Sequence, residues 1–253
     1  MNNIKNVLIL RGILKLVRQP AAPLMGFGMS LFFLIVYNAG IGGIGNMEVF
    51  GAGGYLAFIF PITIISLSMG SSAGAGQTLN DDMQSGYFRR LYLSPAPRWM
   101  LVISPMLADT LSSILFSGIL LVIGAIFGLP FRFGIISISG ILLISALWSV
   151  TLCGLSAGVM LRSGKHQNVS LVTNTVFILL FLSTTFLPRE LITSKWLLFV
   201  SMGNPVTYIL EACRYLLGGT SSLNYFIISF VILLLSSSLS IAFALGSVKK
   251  IKL

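Results

Sequence analysis

Long apolar runs separated by short polar clusters dominate this chain. Read between the charges, the runs fall near Leu24–Ile44, Leu56–Gln77, Trp99–Ile126, Gly134–Met160, Val169–Leu187 and Tyr225–Val248. A helix rising ~1.5 Å per residue needs about 20 residues to cross a hydrocarbon layer of ~30 Å, and each run reaches that length, the fifth only just. The pattern predicts an all-α integral membrane protein: six transmembrane helices in a single domain over residues 1–253.

Composition agrees. Of 253 residues, 56% are apolar and 9% charged, with a mean hydropathy of +0.97, whereas soluble domains carry about 25% charged residues. Six acids and one histidine, His166, leave little material for acid–base chemistry or a metal cage, which argues against a hydrolytic enzyme. Cys153 and Cys213 read as small apolar packing residues rather than a disulfide framework.

The net charge of +10 follows the membrane. With both termini cytoplasmic, the inner segments hold Lys5, Arg11, Lys15, Arg18, Arg89, Arg90, Arg98, Arg162, Lys165, Lys249, Lys250 and Lys252, twelve basic residues in all. The outer segments hold four, Arg132, Arg189, Lys195 and Arg214. This is the positive-inside asymmetry. The charges are spread over several membrane edges rather than gathered on one basic face, so nucleic acid is not an expected partner and membrane lipid is. The basic start spread to Arg18, followed by a span-length run, reads as an uncleaved first segment.

Three segments between spans carry more information. Residues 3–18 place Arg11, Lys15 and Arg18 on one side of a helix and Val7, Leu10, Ile13, Leu14 and Val17 on the other. They predict an amphipathic helix lying in the membrane plane, or else the frayed start of the first span. Residues 78–98 form the most polar stretch. Asp81 and Asp82 come early and Arg89 and Arg90 late, Asn80 is placed to cap, and Ser94-Pro95-Ala96-Pro97 stops the helix. Tyr87, Phe88 and Tyr92 among these charges give the composition of a docking surface rather than a solvated loop.

Residues 188–224 are apolar for a loop. Two pieces too short to span flank Gly203-Asn204-Pro205 and predict outer re-entrant helices, the second capped by Asn204 with Pro205 at its first position. Glu211 and Arg214 share a face of it, either as a surface ion pair or in a gating role.

Other chemistry is sparse. Arg162-Ser163-Gly164-Lys165-His166 resembles the end of a phosphate-binding loop but has the wrong glycine spacing and His166 in place of the hydroxyl. Asp109 is the one acid well inside a span, a structural polar partner or a substrate or proton site, with Arg162 able to neutralise it. Gly70/Gly74, Gly124/Gly128 and Gly154/Gly158 each place two glycines four apart, a pattern that allows close helix packing.

Two stretches carry a family resemblance: SGYFRRLYLSPAPRWMLVISPMLAD, and FLPRELITSKWLLFVSMGNPVTYILEACRYLLGG. With the order of spans, in-plane helix, charged helix and outer hairpin, the chain resembles the permease of a type-2 ATP-binding-cassette exporter, of the drug or lipid type. The resemblance implies that the stretch Asp81–Arg98, including Asp81, Asp82, Gln84, Tyr87, Phe88, Arg89, Arg90 and Arg98, is a cytoplasmic coupling helix seated in an ATPase subunit. It also implies two such ATPases, which bind ATP and Mg while this chain binds no cofactor. A second permease, identical or related, completes the path, in a bacterial-type cytoplasmic membrane. Relatives of this kind export drugs, lipids, antimicrobial peptides or polysaccharides, and the Phe-rich spans favour an amphiphile. An ion-coupled secondary transporter is the rival class, but it wants coupling-ion ligands that a lone Asp109 does not supply.

Overall fold

A computed structural model describes residues 21–41, 50, 54–93, 97–186 and 188–248. The in-plane helix expected over 3–18 lies outside them. The described residues form helices α1 (Ala21–Ile41), α2 (Gly54–Gln84), α3 (Tyr87–Tyr92), α4 (Met100–Ile126), α5 (Ile135–Ser163), α6 (His166–Phe181), α7 (Lys195–Gly203), α8 (Pro205–Leu216) and α9 (Leu223–Val248), with a 3-10 turn at Arg189–Leu191.

Among these, α2, α4, α5 and α9 are long and apolar enough to cross a membrane. The chain is therefore a multi-pass membrane protein, all-helical over the described residues. Helix α1 carries an apolar stretch over Gly26–Val36. Helix α6 is shorter than the expected fifth span: its 16 residues rise about 24 Å. It stops at Phe181, where the hydroxyls of Ser183 and Thr185 both donate to the Leu180 carbonyl, at 2.6 and 2.8 Å.

The core forms around α2. Its residues from Ile59 to Leu67 are almost wholly enclosed, because α1, α4, α5 and α6 all pack against it. Small residues set the spacing. A Cβ at Gly26 of α1 would stand 3.1 Å from Gly70 Cα and from the Leu67 carbonyl oxygen, and Ser30 of α1 donates to the Thr63 carbonyl at 2.8 Å. Helix α9 lies on α5 at the paired glycines: a Cβ at Gly154 would meet Ser240, and one at Gly158 would meet the Phe243 ring. The Gly124/Gly128 pair behaves differently. Gly124, within α4, backs onto Phe60 of α2, whereas Gly128, with φ +85°, belongs to the turn after α4.

Inside the bundle, hydroxyls replace the missing water. Ser113 of α4 stands 3.1 Å from both Ser68 of α2 and Ser145 of α5, and Ser145 is 2.7 Å from Ser117. Interhelical hydroxyl contacts of this kind join membrane helices where burying apolar surface brings no gain over lipid.

Candidate functional site

Two polar clusters occupy opposite ends of α2, the first built within residues 77–98 and the second by residues distant in sequence.

At one end, α2 runs on past its apolar stretch. Nothing between Gln77 and Gln84 breaks it, so Asp81 and Asp82 sit in its last turns and Asn80 lies within the helix, buried. The expected separate helix, capped by Asn80 with acids in its first turn, is therefore not what forms. A cap requires non-helical backbone ahead of it, and the chain there is already helical. Side chains one turn apart tie the segment together: Gln77 Nε2 donates to Asp81 Oδ1 at 2.9 Å, and Gln84 Nε2 to Asn80 Oδ1 at 3.3 Å.

The break comes at Gly86, whose φ of +70° is the left-handed conformation that glycine adopts without strain. The six-residue α3 follows. Its Phe88 is 3% exposed and belongs to an apolar cluster with Leu79 of α2, Val102 of α4, Met160 of α5, Val169 of α6 and Val248 of α9. Arg89 and Arg90 are exposed in its last turn, where cations complement the helix dipole. Tyr92 stacks on Phe88 at 6.3 Å and carries the Arg98 guanidinium 4.6 Å above its ring. Of the proline stop, Ser94 to Ala96 lie outside the described residues.

At the other end stands α8. Asn204 begins it, its Oδ1 accepting from Val206 N at 3.0 Å, with Pro205 at the first helical position. The same side chain donates from Nδ2 to the Leu179 carbonyl at 2.5 Å, pinning α8 to the end of α6. The helix buries Ile209, Leu210, Cys213 and Leu216, and on the same buried side lie Glu211 and Arg214.

These two form an ion pair at 2.6 Å with side-chain exposures of 12% and 3%, an enclosed pair rather than a surface one. Arg214 uses all five of its N–H donors. Nε donates to the Phe58 carbonyl of α2 at 3.0 Å; Nη1 donates to Glu211 Oε1 and Thr184 Oγ1; Nη2 donates to the carbonyls of Thr184 and Thr185. Pro61, which offers no N–H to the helix, stands three residues beyond that Phe58 acceptor. Glu211 is equally occupied: Thr184 donates to Oε1 at 3.0 Å and Ser221 to Oε2.

Burial pushes the Glu211 carboxyl up, but the Arg214 charge and the Ser221, Thr184 and Arg214 hydrogen bonds outweigh it and hold the group below the usual carboxylate range. Burial pushes the neighbouring Cys213 thiol up to about 12.

Three other features complete the polar and cavity map. Asp109 of α4 is 7% exposed, and its carboxylate faces Gly74 of α2 so closely that a Cβ there would meet Oδ1 at 2.9 Å. Arg162 turns toward α9, donating from Nε to Ser247 Oγ at 3.0 Å with its guanidinium 4.3 Å over Phe243. An apolar groove of about 750 Å³ opens between α5, α6 and α9, its wall mixing Trp148, Val172 and Ile232 with the hydroxyls of Thr151, Thr175 and Ser236.

The pairing of Glu211 with Arg214 could be read from their spacing. Thr184, Ser221 and the Phe58 carbonyl could not, since they come from other elements; the runs of hydroxyls at Ser183–Thr185 and Thr220–Ser222 are the only signal available, and only for the first two.

The described helices form a multi-pass bundle with a polar segment at one end of α2 and a buried ion pair at the other. Residues 6–218 match the family described as ABC-2 type transporter, and the chain belongs to that family. The match takes in both the 78–98 segment and the Glu211–Arg214 pair. The chain is also similar to "Putative transport permease ycf38" of Cyanophora paradoxa, 26% identical over 246 residues, 93% of this chain and 82% of that protein. Membership of the family implies an ABC ATPase as partner.

Proposed function

We propose that this chain is the membrane subunit of an ATP-driven exporter, one of two permeases, identical or related, that bind two cytoplasmic ATPase subunits. The ATPases hold ATP and Mg and hydrolyse the nucleotide; this chain supplies the path. In this reading six helices span a bacterial-type cytoplasmic membrane, α1 and α6 with the other four. Both termini and α3 are cytoplasmic, and α7 and α8 lie at the outer face. The cargo is an amphiphile, drug-like or lipid-like, moved outward.

The observation that carries the proposal is the build of α3. It presents Arg89 and Arg90 to solvent while Phe88 is sunk into a cluster shared by α2, α4, α5, α6 and α9. A partner that grips those arginines and moves them displaces the feet of five helices together, which is what transmission of an ATPase stroke requires. The apolar groove with scattered hydroxyls supports an amphiphilic cargo.

The test is reconstitution in vesicles. With its ATPase the chain is expected to extrude an amphiphilic dye on addition of ATP and Mg, and without it to be inert under both ATP and ion gradients. Transport by the chain alone on a proton or sodium gradient would establish the ion-coupled class instead.

A further inference from the structure

The apolar groove between α5, α6 and α9 has a definite length. Its wall runs from Trp148 to Val159 on α5, from Asn168 to Leu179 on α6 and from Ile232 to Phe243 on α9. Each interval is eleven residue steps, which rise about 16 Å along a helix. A hydrocarbon core of ~30 Å gives each leaflet about 15 Å, so the groove is as deep as one leaflet. An apolar cavity of ~150 Å³ holds one benzene; at about 750 Å³ the groove has room for an acyl chain, or two side by side. It opens sideways onto lipid-facing surface: Leu171 in its wall is 60% exposed, and Leu235 and Leu239, next to it on α9, are 60% and 69% exposed. The hydroxyls in the wall make no demand on an occupant. Thr175 donates to the Leu171 carbonyl and Thr151 to that of Leu147, and Ser236 bonds both Thr151 and the Leu233 carbonyl.

The two ends differ. At one, Pro205 begins α8 and the bond from Asn204 to the Leu179 carbonyl closes the groove. At the other, Phe243 carries the Arg162 guanidinium 4.3 Å over its ring. Arg162 is exposed; its Nε donates to Ser247, and its Nη1 and Nη2 make no hydrogen bond to a described residue. Lys165, also exposed, follows just before α6. A phosphate accepts readily from guanidinium nitrogens.

We infer that this groove is a phospholipid site, in which an acyl chain lies along α5, α6 and α9 with its tip toward Pro205 and the phosphate of an anionic headgroup meets Arg162 at the open end. That end is the α3 end of the bundle, since Met160 of α5 and Val248 of α9 share the cluster around Phe88. Its assignment to the cytoplasmic leaflet, where anionic lipid gathers, rests on the orientation proposed above; the site itself does not. Binding is an equilibrium property of this chain, so its failure leaves the dye-extrusion test standing, and the reverse holds too.

Trp148, at the closed end, is the reporter. With Trp99→Phe and Trp196→Phe it is the sole tryptophan of the full chain. In dodecyl maltoside micelles at constant ionic strength, its fluorescence is followed against phosphatidylglycerol or phosphatidylcholine brominated in the distal half of the chains. Quenching is expected to saturate, with a half-saturating mole fraction about fivefold lower for phosphatidylglycerol, the weight of about one basic residue against an anionic headgroup. Thr175→Phe, which sets a ring on the exposed lip of the groove, is expected to abolish it. Arg162→Gln should remove the preference between the lipids, and Arg162→Lys should keep most of it. Quenching that does not saturate, equal half-saturation for the two lipids, an unchanged curve in Thr175→Phe or an undiminished preference in Arg162→Gln overturns the site. So does an absence of quenching at every lipid content, the result if a second copy of the chain or residues 3–18 fill the groove. If Arg162→Gln does not fold, the two-lipid comparison and Thr175→Phe decide.

Discussion

Arg214 holds Phe58 twice: its Nε donates to the Phe58 carbonyl at 3.0 Å, and its guanidinium carbon lies 3.6 Å from the centroid of the Phe58 ring. The grip joins α8 to α2, 156 positions away. Removing one member of a buried, hydrogen-bonded pair leaves the other charge uncompensated, at about 3–5 kcal/mol. Arg214→Gln is expected to lower the thermal midpoint accordingly. Arg214→Lys is expected to do nearly as badly, because an ammonium has three donors and no planar fork. A charge swap, Glu211→Arg with Arg214→Glu, would rescue an isolated pair. Here it restores one of five bonds and forfeits the hold on Phe58, so the double variant should be no more stable than Arg214→Gln. Rescue by the swap, measured by thermal unfolding in detergent, would show that the pair acts alone.

The same cluster sets a pH dependence. Glu211 has its folded pKa held below the ordinary value of about 4.3 that it regains on unfolding. Its contribution is therefore complete above that value and declines as pH falls through it toward the lower folded pKa. Thermal midpoints measured between about pH 3 and 6 should drop at the acid end for the native chain. Glu211→Gln should start lower and fall less steeply; parallel curves would mean that this carboxyl is not the group responsible.

What could be read from sequence was what acts locally. Asn204-Pro205 announces the start of α8 because cap and first-turn proline need only their immediate neighbours. Three of the four expected spans that α2, α4, α5 and α9 match end within a few residues of those helices; the exception is α2, whose apolar run stops at Gln77 while the helix continues to Gln84. Hydropathy reports where lipid ends and not where backbone hydrogen bonding ends, so it does not show that Asp81 and Asp82 belong to the end of α2. The six residues of α3 are too few for a periodicity that would single out Phe88 as the inward member of an aromatic trio. The burial of Glu211 and Arg214 depended on Phe58, Thr184 and Ser221, none of which the i,i+3 spacing implies.

In the 78–98 segment, burial separates two kinds of variant. Arg89→Glu with Arg90→Glu reverses two exposed charges, so the chain should insert and unfold as before while ATP-driven transport is lost in the complex with its ATPase. Phe88→Ala empties a core position, for which a loss of about 3–5 kcal/mol is usual, and should lower the thermal midpoint before any question of coupling arises. Full transport by the double glutamate variant would remove these arginines from the coupling surface.

The α5–α9 contact offers a finer test, because its two glycines face different kinds of neighbour. A methyl group at Gly158 would fall 2.3 Å from the Phe243 ring, whereas one at Gly154 would fall 2.9 Å from the backbone carbonyl carbon of Ser240. The first contact is the shorter, yet Phe243 borders the apolar groove between α5, α6 and α9, and its ring can turn into that space at the expense of its stacking with Arg162. Backbone has no such escape: relief at Gly154 requires α9 to move away from α5, which breaks the run of contacts along both helices. Overpacking of this kind costs about 1–3 kcal/mol, and the upper part of that range is expected for Gly154→Ala and the lower part for Gly158→Ala. Thermal unfolding of the two variants in the same detergent decides it, and the reverse order would mean that the Phe243 ring, and not the α9 backbone, is the rigid partner at this crossing.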